Sequence, residues 1–515
     1  MAIASTTDRP PTVARIGIQT NLRQLREVVY DCHRALLLNN NPPTLFARGG
    51  APVYIMPDED GRKVIAPVTP AYLTYLLTQA ANFHQKTMEV NRAVHPPQKA
   101  VTTLLAMTIN EWNLPNLVSL SETPILRPDG SIVDQPGYDP ETRTVYSPCP
   151  GLEIPPIPDD PTWDDIAGAI EVIDDAIGEF PFVDAASTVN AYAMLLTPTV
   201  RPVIYGCVPL ALVNAKNPGT GKSLLMEVAS RIHTGSAAPM KAIPADGDEW
   251  RKSLSAAILA GNSLTMFDNL DAILKSGHLS QAITCERWTD RKLGITEEMN
   301  LPQRTTFIVS GNNIRLGGDL GCRCYWINLD RDVPQPWRGV TYKHPNLKLW
   351  VMENRGQLLC ALLTLARAWF RAGKPKADCI VLGNFESWCE TIGGILSYAG
   401  LDGFLANADE MYAQGDVQEN QWKHFLAALT VVFGEGFTVN ELVREAGLKR
   451  AALVDGVETT LAELMPDELD KSNTRSIGRV FLGKQGRYFG NCKLVQTGQT
   501  GGVAKWKVVM SKDWA

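Results

Sequence analysis

An α/β fold built around a parallel sheet is predicted for this chain by two segments and the punctuation around them. The first, VPLALVNAKNPGTGKSLLMEVASRI, runs from an apolar stretch (Val208–Val213) through a glycine turn into a helix from Ser223. Unbroken apolar runs mark strands buried on both faces, the habit of parallel sheets. The second, LTMFDNLD, is another such run and closes on Asp268. Two further strands, TTFIVSG and CYWINL, follow at short intervals. Composition agrees: 515 residues, 45% hydrophobic and 20% charged with a net charge of −6, describe a soluble globular chain of about three domains.

Composition also excludes. No apolar stretch reaches the length of a membrane span, so no membrane partner is expected. The polar, proline-broken start MAIASTTDRPPTVAR does not read as a secretory signal. Ten cysteines without a C-x-x-C pair or zinc-ligand spacing argue against a disulfide scaffold or structural zinc, and a reducing cytoplasm fits.

Taken in order, residues 1–143 read as a mixed α+β domain. Helices are expected in NLRQLREVVYDCHRALL and AYLTYLLTQAANFHQ, with hairpin turns at Asp58-Glu59-Asp60-Gly61 and at Asp129-Gly130. The D-x-D in the first turn would also suit a divalent metal; Asp-Gly between apolar runs favours the turn. Residues 144–162 form an acidic, proline-rich connector. From Thr144 to Val200 there are ten Asp or Glu and no Lys or Arg. Trp163, Ile166, Ile170, Ile173 and Ile177 then recur at helical spacing, with Asp164 and Asp165 in the first turn, where the helix dipole favours carboxylates. Residues 163–340 are expected to hold the parallel-sheet core and 341–435 a helical region.

The glycine turn is the strongest chemical signal. Backbone N–H groups of such a turn cradle phosphates at a helix N-terminus. Pro218, Gly219, Thr220, Gly221, Lys222, Ser223 and Leu224 are the candidate nucleotide residues, with Lys222 on the β- and γ-phosphates and Ser223 on Mg²⁺. The pattern G-x-x-x-x-G-K-[ST] is met except at its first position, where Lys216 replaces glycine. Asp268, at the end of its strand, is the second candidate Mg²⁺ ligand. The glutamate that usually follows is replaced by Asn269, which leaves Asp271, Glu249 and Glu286 as alternatives for activating water. Asn312, after the third strand, reads either as a water-orienting group or as a turn residue. Arg323, eleven residues on, reads as a surface residue or as a finger on a neighbouring subunit's γ-phosphate.

Residues 436–515 are oppositely charged to the connector: residues 471–510 carry eight basic side chains and no acidic one. FTVNELVREAGL is a short amphipathic helix, capped by Thr438 or Asn440. KSNTRSIGRVFLGKQG is a basic helix, and two alternating runs joined by TGQTGG form a hairpin. Helix, basic helix and hairpin predict a winged helix that binds duplex DNA or, alternatively, docks a protein and leaves its basic face solvated. Arg475, Arg479, Arg487, Lys493 and Lys505 are its candidate contacts, while Trp506 and Met510 read as core.

NPGTGKS, LTMFDN, SGNN and the trailing Arg323 together resemble the AAA+ replicative helicases of mobile genetic elements: the helicase modules of phage, plasmid and island primase-helicases, related to superfamily 3 and MCM-like helicases. EWRKSLSAAILAG, RWTDRKLG, PILRPDGSIVDQPGYD and FESWCETIGGILSYAGLDGFLAN share the look. The resemblance covers residues 120–410 best. It implies a P-loop AAA+ (ASCE) motor that uses ATP and Mg²⁺, with Lys222 and Ser223 as phosphate and metal ligands, Asp268 as the Walker B carboxylate, Asn312 as sensor 1 and Arg323 as a finger in trans. It further implies a homo-oligomeric ring, expected to be a hexamer, with single-stranded DNA in its channel. A hairpin between Asp268 and Asn312 would face that strand through Arg291 and Lys292, which otherwise read as salt-bridged supports. The expected function is ATP-driven unwinding or translocation on DNA, without a primase domain. The alternative is an initiator or loader that remodels DNA without processive unwinding.

Overall fold

The computed structural model describes residues 15–59, 63–87, 90–237, 240–271, 273–291, 298–331, 341–408, 417–447, 451–454, 457–469, 473–500 and 502–511. They fall into two compact units. The first comprises Met1–Leu270, Ser276–Asn312 and Arg323–Ala406; the second comprises Asp271–Lys275, Asn313–Cys322 and Asn407–Ala515.

The first unit begins with a three-stranded sheet of Ile16–Gln19, Ala81–Lys86 and Asn91–Ala93. Helices Leu25–Leu38, Pro70–Ala80 and Gln98–Leu105 pack with it around Ile18, Cys32, Leu73, Leu77 and Leu104. The expected helix in AYLTYLLTQAANFHQ is helical over only its first two thirds. It stops at Ala80, and ANFHQK becomes a strand paired in parallel with Ile16–Gln19. The strands of the first expected hairpin are present, with Ala51–Pro57 antiparallel to Lys63–Pro67, while Asp60 and Gly61 of its turn lie outside the described residues. The turn at Asp129-Gly130 is also found, with Ile125–Leu126 pairing Ile132–Val133.

Helix α1 (Trp163–Ile177) starts in a capping box in which the Asp165 carboxylate accepts from Thr162 N and Oγ1. Ile166, Ile173 and Ile177 are buried as their spacing requires. Trp163 departs from that expectation: it is 63% exposed, and its ring lies 5.2 Å from Tyr398. Helix α2 (Ala185–Val200) is buried almost all round.

The sheet at the heart of this unit has five strands: β1 (Leu210–Ala215), β2 (Met240–Ala242), β3 (Leu264–Leu270), β6 (Thr306–Asn312) and β7 (Cys324–Leu329). Their order is β2-β3-β6-β1-β7, and every neighbouring pair is parallel. Helix α3 (Lys222–Thr234) follows β1, α4 (Gly247–Ala260) joins β2 to β3, and α5 (Gly277–Thr284) follows β3. Helices covering both faces explain why Leu210, Ala211, Leu212 and Val213 in β1 are fully buried. Before β6 an antiparallel hairpin stands apart from the sheet, β4 (Arg287–Arg291) against β5 (Glu298–Pro302). Helix α6 (Arg355–Arg371) packs against α1, α2 and α3.

In the second unit, helices α7 (Val417–Val432), α8 (Val439–Gly447) and α9 (Thr474–Lys484) accompany an antiparallel sheet. Its strands are β8 (Phe437–Thr438), β9 (Tyr488–Phe489), β10 (Cys492–Thr500) and β11 (Val503–Met510), in the order β8-β11-β10-β9. Trp422, Phe425, Phe437, Leu442, Ile477, Phe481 and Trp506 form its core. Thr438, not Asn440, caps α8: its hydroxyl accepts from Glu441 N, and Glu441 Oε2 accepts from Thr438 N at 2.8 Å. The β10–β11 turn is tighter than TGQTGG suggests, because pairing continues to Thr500 and Val503. Met510 is 54% exposed and is not core, since it closes its strand beyond Trp506 and Val508, the buried residues of that face. A short hairpin, Ala451–Val454 with Val457–Thr460, is an element that the hydrophobic pattern does not announce.

Candidate nucleotide site

Parallel strands present their carboxyl ends to one edge of the sheet, where ligands of open α/β sheets bind. Here β6 lies between β1 and β3, with Ala215 opposite Asn312 and Leu270 opposite Gly311. The glycine loop after β1, Asp268 in β3 and Asn312 at the end of β6 are therefore brought together. Side chains complete the cluster. Lys222 Nζ donates to Asn312 Oδ1 at 2.7 Å, and Ser223 Oγ donates to Asp268 Oδ2 at 2.8 Å. Asp268 Oδ1 accepts from Asn269 N at 2.8 Å and from the Ser310 hydroxyl.

The loop has the backbone that its glycines permit. Gly219 and Gly221 take φ of +79° and +101°, which side-chain-bearing residues rarely adopt. A Cβ on Gly221 would also stand 3.1 Å from the Phe180 ring. Gly221 is the N-cap of α3 and supplies no side-chain cap, so the first N–H groups of that helix stay available to an anion. Lys222 is 9% exposed and makes no ion pair among the described residues. Burial pushes its pKa down, and the charge of Asp268 only partly opposes this. A buried cation at a helix N-terminus fits a polyphosphate, while a hydroxyl and a carboxylate in contact form an oxygen donor set suited to Mg²⁺.

Both departures from the expected pattern, Lys216 in the loop and Asn269 after Asp268, have local accounts. Lys216 is 73% exposed and pairs with Asp330 at 2.9 Å, so a side chain is accommodated where glycine is usual. Asn269 takes φ +66° at a β-bulge, a left-handed position that Asn tolerates better than most residues. Of the alternatives for activating water, Glu249 is exposed and pairs with Lys252 at 2.7 Å. Glu286 lies 3.8 Å from the position of a Cβ on Gly206 and acts electrostatically on Arg201 and Arg304, near the amino ends of the strands, away from Lys222. Asp271 belongs to the second unit.

Arg323 does not join the cluster. It precedes β7, whose Cys324 pairs with Leu210 at the start of β1, so it lies at the opposite edge of the sheet from Lys222. A six-residue strand separates the two edges by about 20 Å. Its Nη1 donates to Ser280 O at 3.2 Å and to Ser280 Oγ. Arg291 ends β4 and is exposed; Lys292 lies outside the described residues. The β4–β5 hairpin is fastened to α4 through Asp290, which accepts from Arg251 at 2.9 Å and from Ser255 Oγ at 2.5 Å. In the second unit, Arg475 and Arg479 are exposed on α9 and make no ion pair among the described residues. Arg487 pairs with Glu419 at 3.1 Å, and Lys493 lies over the Tyr488 ring. Lys505 is half-buried in β11, near Glu441.

Sequence reasoning missed Ser310, Asp330 and Asp290. A hydroxyl inside a buried strand, a carboxylate just past a strand end and another within a hairpin strand have no distinguishing spacing. Among the described residues there is no group of three or more His, Cys, Asp or Glu suited to a metal, and no helix long and apolar enough to cross a membrane.

No family model and no curated relative matches the chain. Among solved structures, it is similar to the apo A form of the NrS-1 C-terminal region at 13% identity and a TM-score of 0.36, covering 93% of this chain and 98% of that one. It is similar to the SCCmec type IV Cch active helicase at 13% identity and a TM-score of 0.31, covering 78% of this chain and 79% of that one.

Proposed function

We propose that this chain is an ATP-dependent DNA helicase or translocase, a P-loop AAA+ motor working as a homo-oligomeric ring, expected to be a hexamer, in the replication of a mobile genetic element. The observation that carries the reading is the convergence of Lys222, Ser223, Asp268 and Asn312 at the carboxyl edge of a sheet ordered β2-β3-β6-β1-β7. The loop residues Pro218 to Leu224 would hold ATP. Ser223 and Asp268 would hold Mg²⁺, which when bound neutralises charge on the β- and γ-phosphates. Lys222 offers its charge to the same phosphates and is kept poised for them by Asn312. Asn312, once Lys222 has turned to phosphate, is free to orient water. Arg323 cannot reach the site of its own chain and would serve a neighbour's. The second unit would serve as a winged helix, with α9 presenting Arg475 and Arg479 to duplex DNA, and the β4–β5 hairpin would face single-stranded DNA.

The test measures ATP hydrolysis with and without forked DNA, together with displacement of the labelled strand. ATP-dependent displacement that vanishes in Lys222→Ala supports the motor. DNA-stimulated hydrolysis without displacement would instead select the initiator or loader. Undiminished turnover in Lys222→Ala would remove the nucleotide site altogether.

A further inference from the structure

At the amino ends of β3 and β6, the edge of the sheet opposite Lys222, the first unit encloses a cavity of about 350 Å³. That lies within the roughly 300–1,000 Å³ common for small-ligand pockets. Four of its lining side chains are arginines: Arg48, Arg143, Arg201 and Arg304. The one carboxylate among the lining residues, Glu141, is already placed 3.5 Å from Arg127.

Arg48 and Arg201 are each only 6% exposed. Their partners are carbonyls: Leu259 O and Ile258 O at 3.0 and 2.8 Å for Arg48, Ile204 O and Gly206 O at 3.0 and 2.8 Å for Arg201. Arg304 likewise donates to Ile204 O at 3.2 Å. Carbonyls take up the Nη groups, but Nε of Arg48 and Nε of Arg201 have no hydrogen-bond partner among the described residues, and the net charge stays uncompensated. No carboxylate forms an ion pair with any of the four among the described residues. Glu286 acts on Arg201 and Arg304 only through space, and Arg287 adds repulsion at Arg48. Burial accordingly lowers the pKa of Arg48 to about 10 and that of Arg201 to about 9. Removing such charges from water without a counter-ion is unfavourable, and an anion in the cavity would offset the cost. Guanidinium forks match phosphate oxygens in particular. Arg143, exposed, holds φ +55°, a strained backbone of the kind that persists at functional positions.

We propose that this cavity is a phosphate-binding site distinct from the glycine loop, filled by the phosphate of a nucleic-acid backbone or by a free polyphosphate. The backbone as source rests on the DNA reading above, and Pro302, at the base of the β4–β5 hairpin, lines the cavity. The site itself does not depend on that reading.

The test uses the full chain carrying Lys222→Ala, so that the glycine loop is weakened. Inorganic tripolyphosphate is titrated by calorimetry, and a labelled oligothymidylate by fluorescence anisotropy, with and without Arg143→Gln plus Arg304→Gln. Removing two charge-assisted hydrogen-bonding groups should weaken the true ligand by about tenfold or more, while Arg→Lys at both positions restores part of the affinity. A loss confined to the oligonucleotide assigns the backbone; a loss confined to tripolyphosphate assigns the free anion. Arg143→Gln alone, at an exposed position, keeps the test valid if the double variant fails to fold. Unchanged affinity for both probes in either variant overturns the proposal. ATP hydrolysis by the same substitutions with Lys222 intact should stay within about twofold of the parent, since the cavity lies a strand length away. Absence of hydrolysis in every chain would count against the nucleotide site and leave the cavity result standing.

Discussion

Lys222 and Asp268 stand out in the sequence because phosphate and metal chemistry demand those residue types beside a glycine turn and after an apolar run. What the spacing does not reveal is how each is held. Ser310, fully buried in β6, places its hydroxyl on the Asp268 carboxylate, while Ser223 holds the other oxygen. Ser310→Ala removes one hydrogen bond and no packing volume of consequence, so the sheet should stay folded. With one oxygen less restrained, hydrolysis is expected to fall by about tenfold, on the scale of one hydrogen bond to a charged group. Steady-state turnover across a Mg²⁺ titration checks this: a rate loss without a changed melting temperature is the expected result, and wild-type turnover would show that Ser223 and the backbone suffice. Lys216 gives the opposite case. Its ammonium is solvent-exposed although Asp330 is only 17% exposed, and a pair open to water at one end contributes little. Lys216→Gly should therefore leave nucleotide affinity within about threefold of the parent, a change a fluorescent-nucleotide titration resolves.

At the scale of elements, strands with continuous apolar runs are legible almost to the residue, as CYWINL shows, since Cys324–Leu329 is the strand. Boundaries set by tertiary pairing are not. Ala81 leaves a helical pattern because Ile16–Gln19 offers it a parallel partner, and Met510 leaves the core because it closes its strand beyond the last buried residue, Val508. The β4–β5 hairpin is expected only through the family resemblance, and its anchor is invisible in the sequence. Asp290 sits between Arg251 and Ser255 of α4, and the Trp288 indole donates to the same Ser255 hydroxyl at 2.9 Å. Burial works to raise the Asp290 pKa, but hydrogen bonds from Ser255 and Arg251 outweigh it and hold the value below the usual carboxylate range. The stabilisation is thus present above the unfolded-state pKa and lost as pH falls through the folded one. Asp290→Asn keeps the shape and removes the charge, so it should loosen the hairpin base at neutral pH. The expected outcome is intact basal hydrolysis with reduced DNA stimulation and faster amide exchange in 287–291. Unaltered exchange would show that Trp288 alone fixes the hairpin. For the second unit, Arg475→Ala with Arg479→Ala should weaken duplex affinity and flatten its salt dependence by about 0.9 for each phosphate left without its cation. Parallel unfolding should show little change, because both side chains are exposed. An unchanged salt slope would turn this face towards a protein partner instead.

For the whole molecule, the strand order separates two groups that the sequence places only eleven residues apart. Asn312 closes β6 at the carboxyl edge, whereas Arg323 opens β7 at the amino edge, so one chain cannot apply both to one nucleotide. If Arg323 acts on transition-state charge, it does so in another subunit, and the catalytic unit is then the interface. The competing role is structural, since Arg323 is fastened to Ser280 and would in that case only brace α5. Two substitutions distinguish them. Arg323→Ala should leave nucleotide binding intact and slow hydrolysis, by roughly 10³-fold if it behaves as other fingers do. Ser280→Ala removes one hydroxyl partner but not the guanidinium, and should cost far less. Mixing Arg323→Ala with Lys222→Ala chains then supplies the decisive measurement. Each homogeneous assembly lacks one half of every site, but a mixed one contains interfaces where an intact glycine loop meets an intact arginine. Turnover should reappear with mixing ratio and peak between the two extremes. Equal losses in Arg323→Ala and Ser280→Ala, with no recovery in assemblies shown by mass to be mixed, would reduce Arg323 to a brace within its own chain.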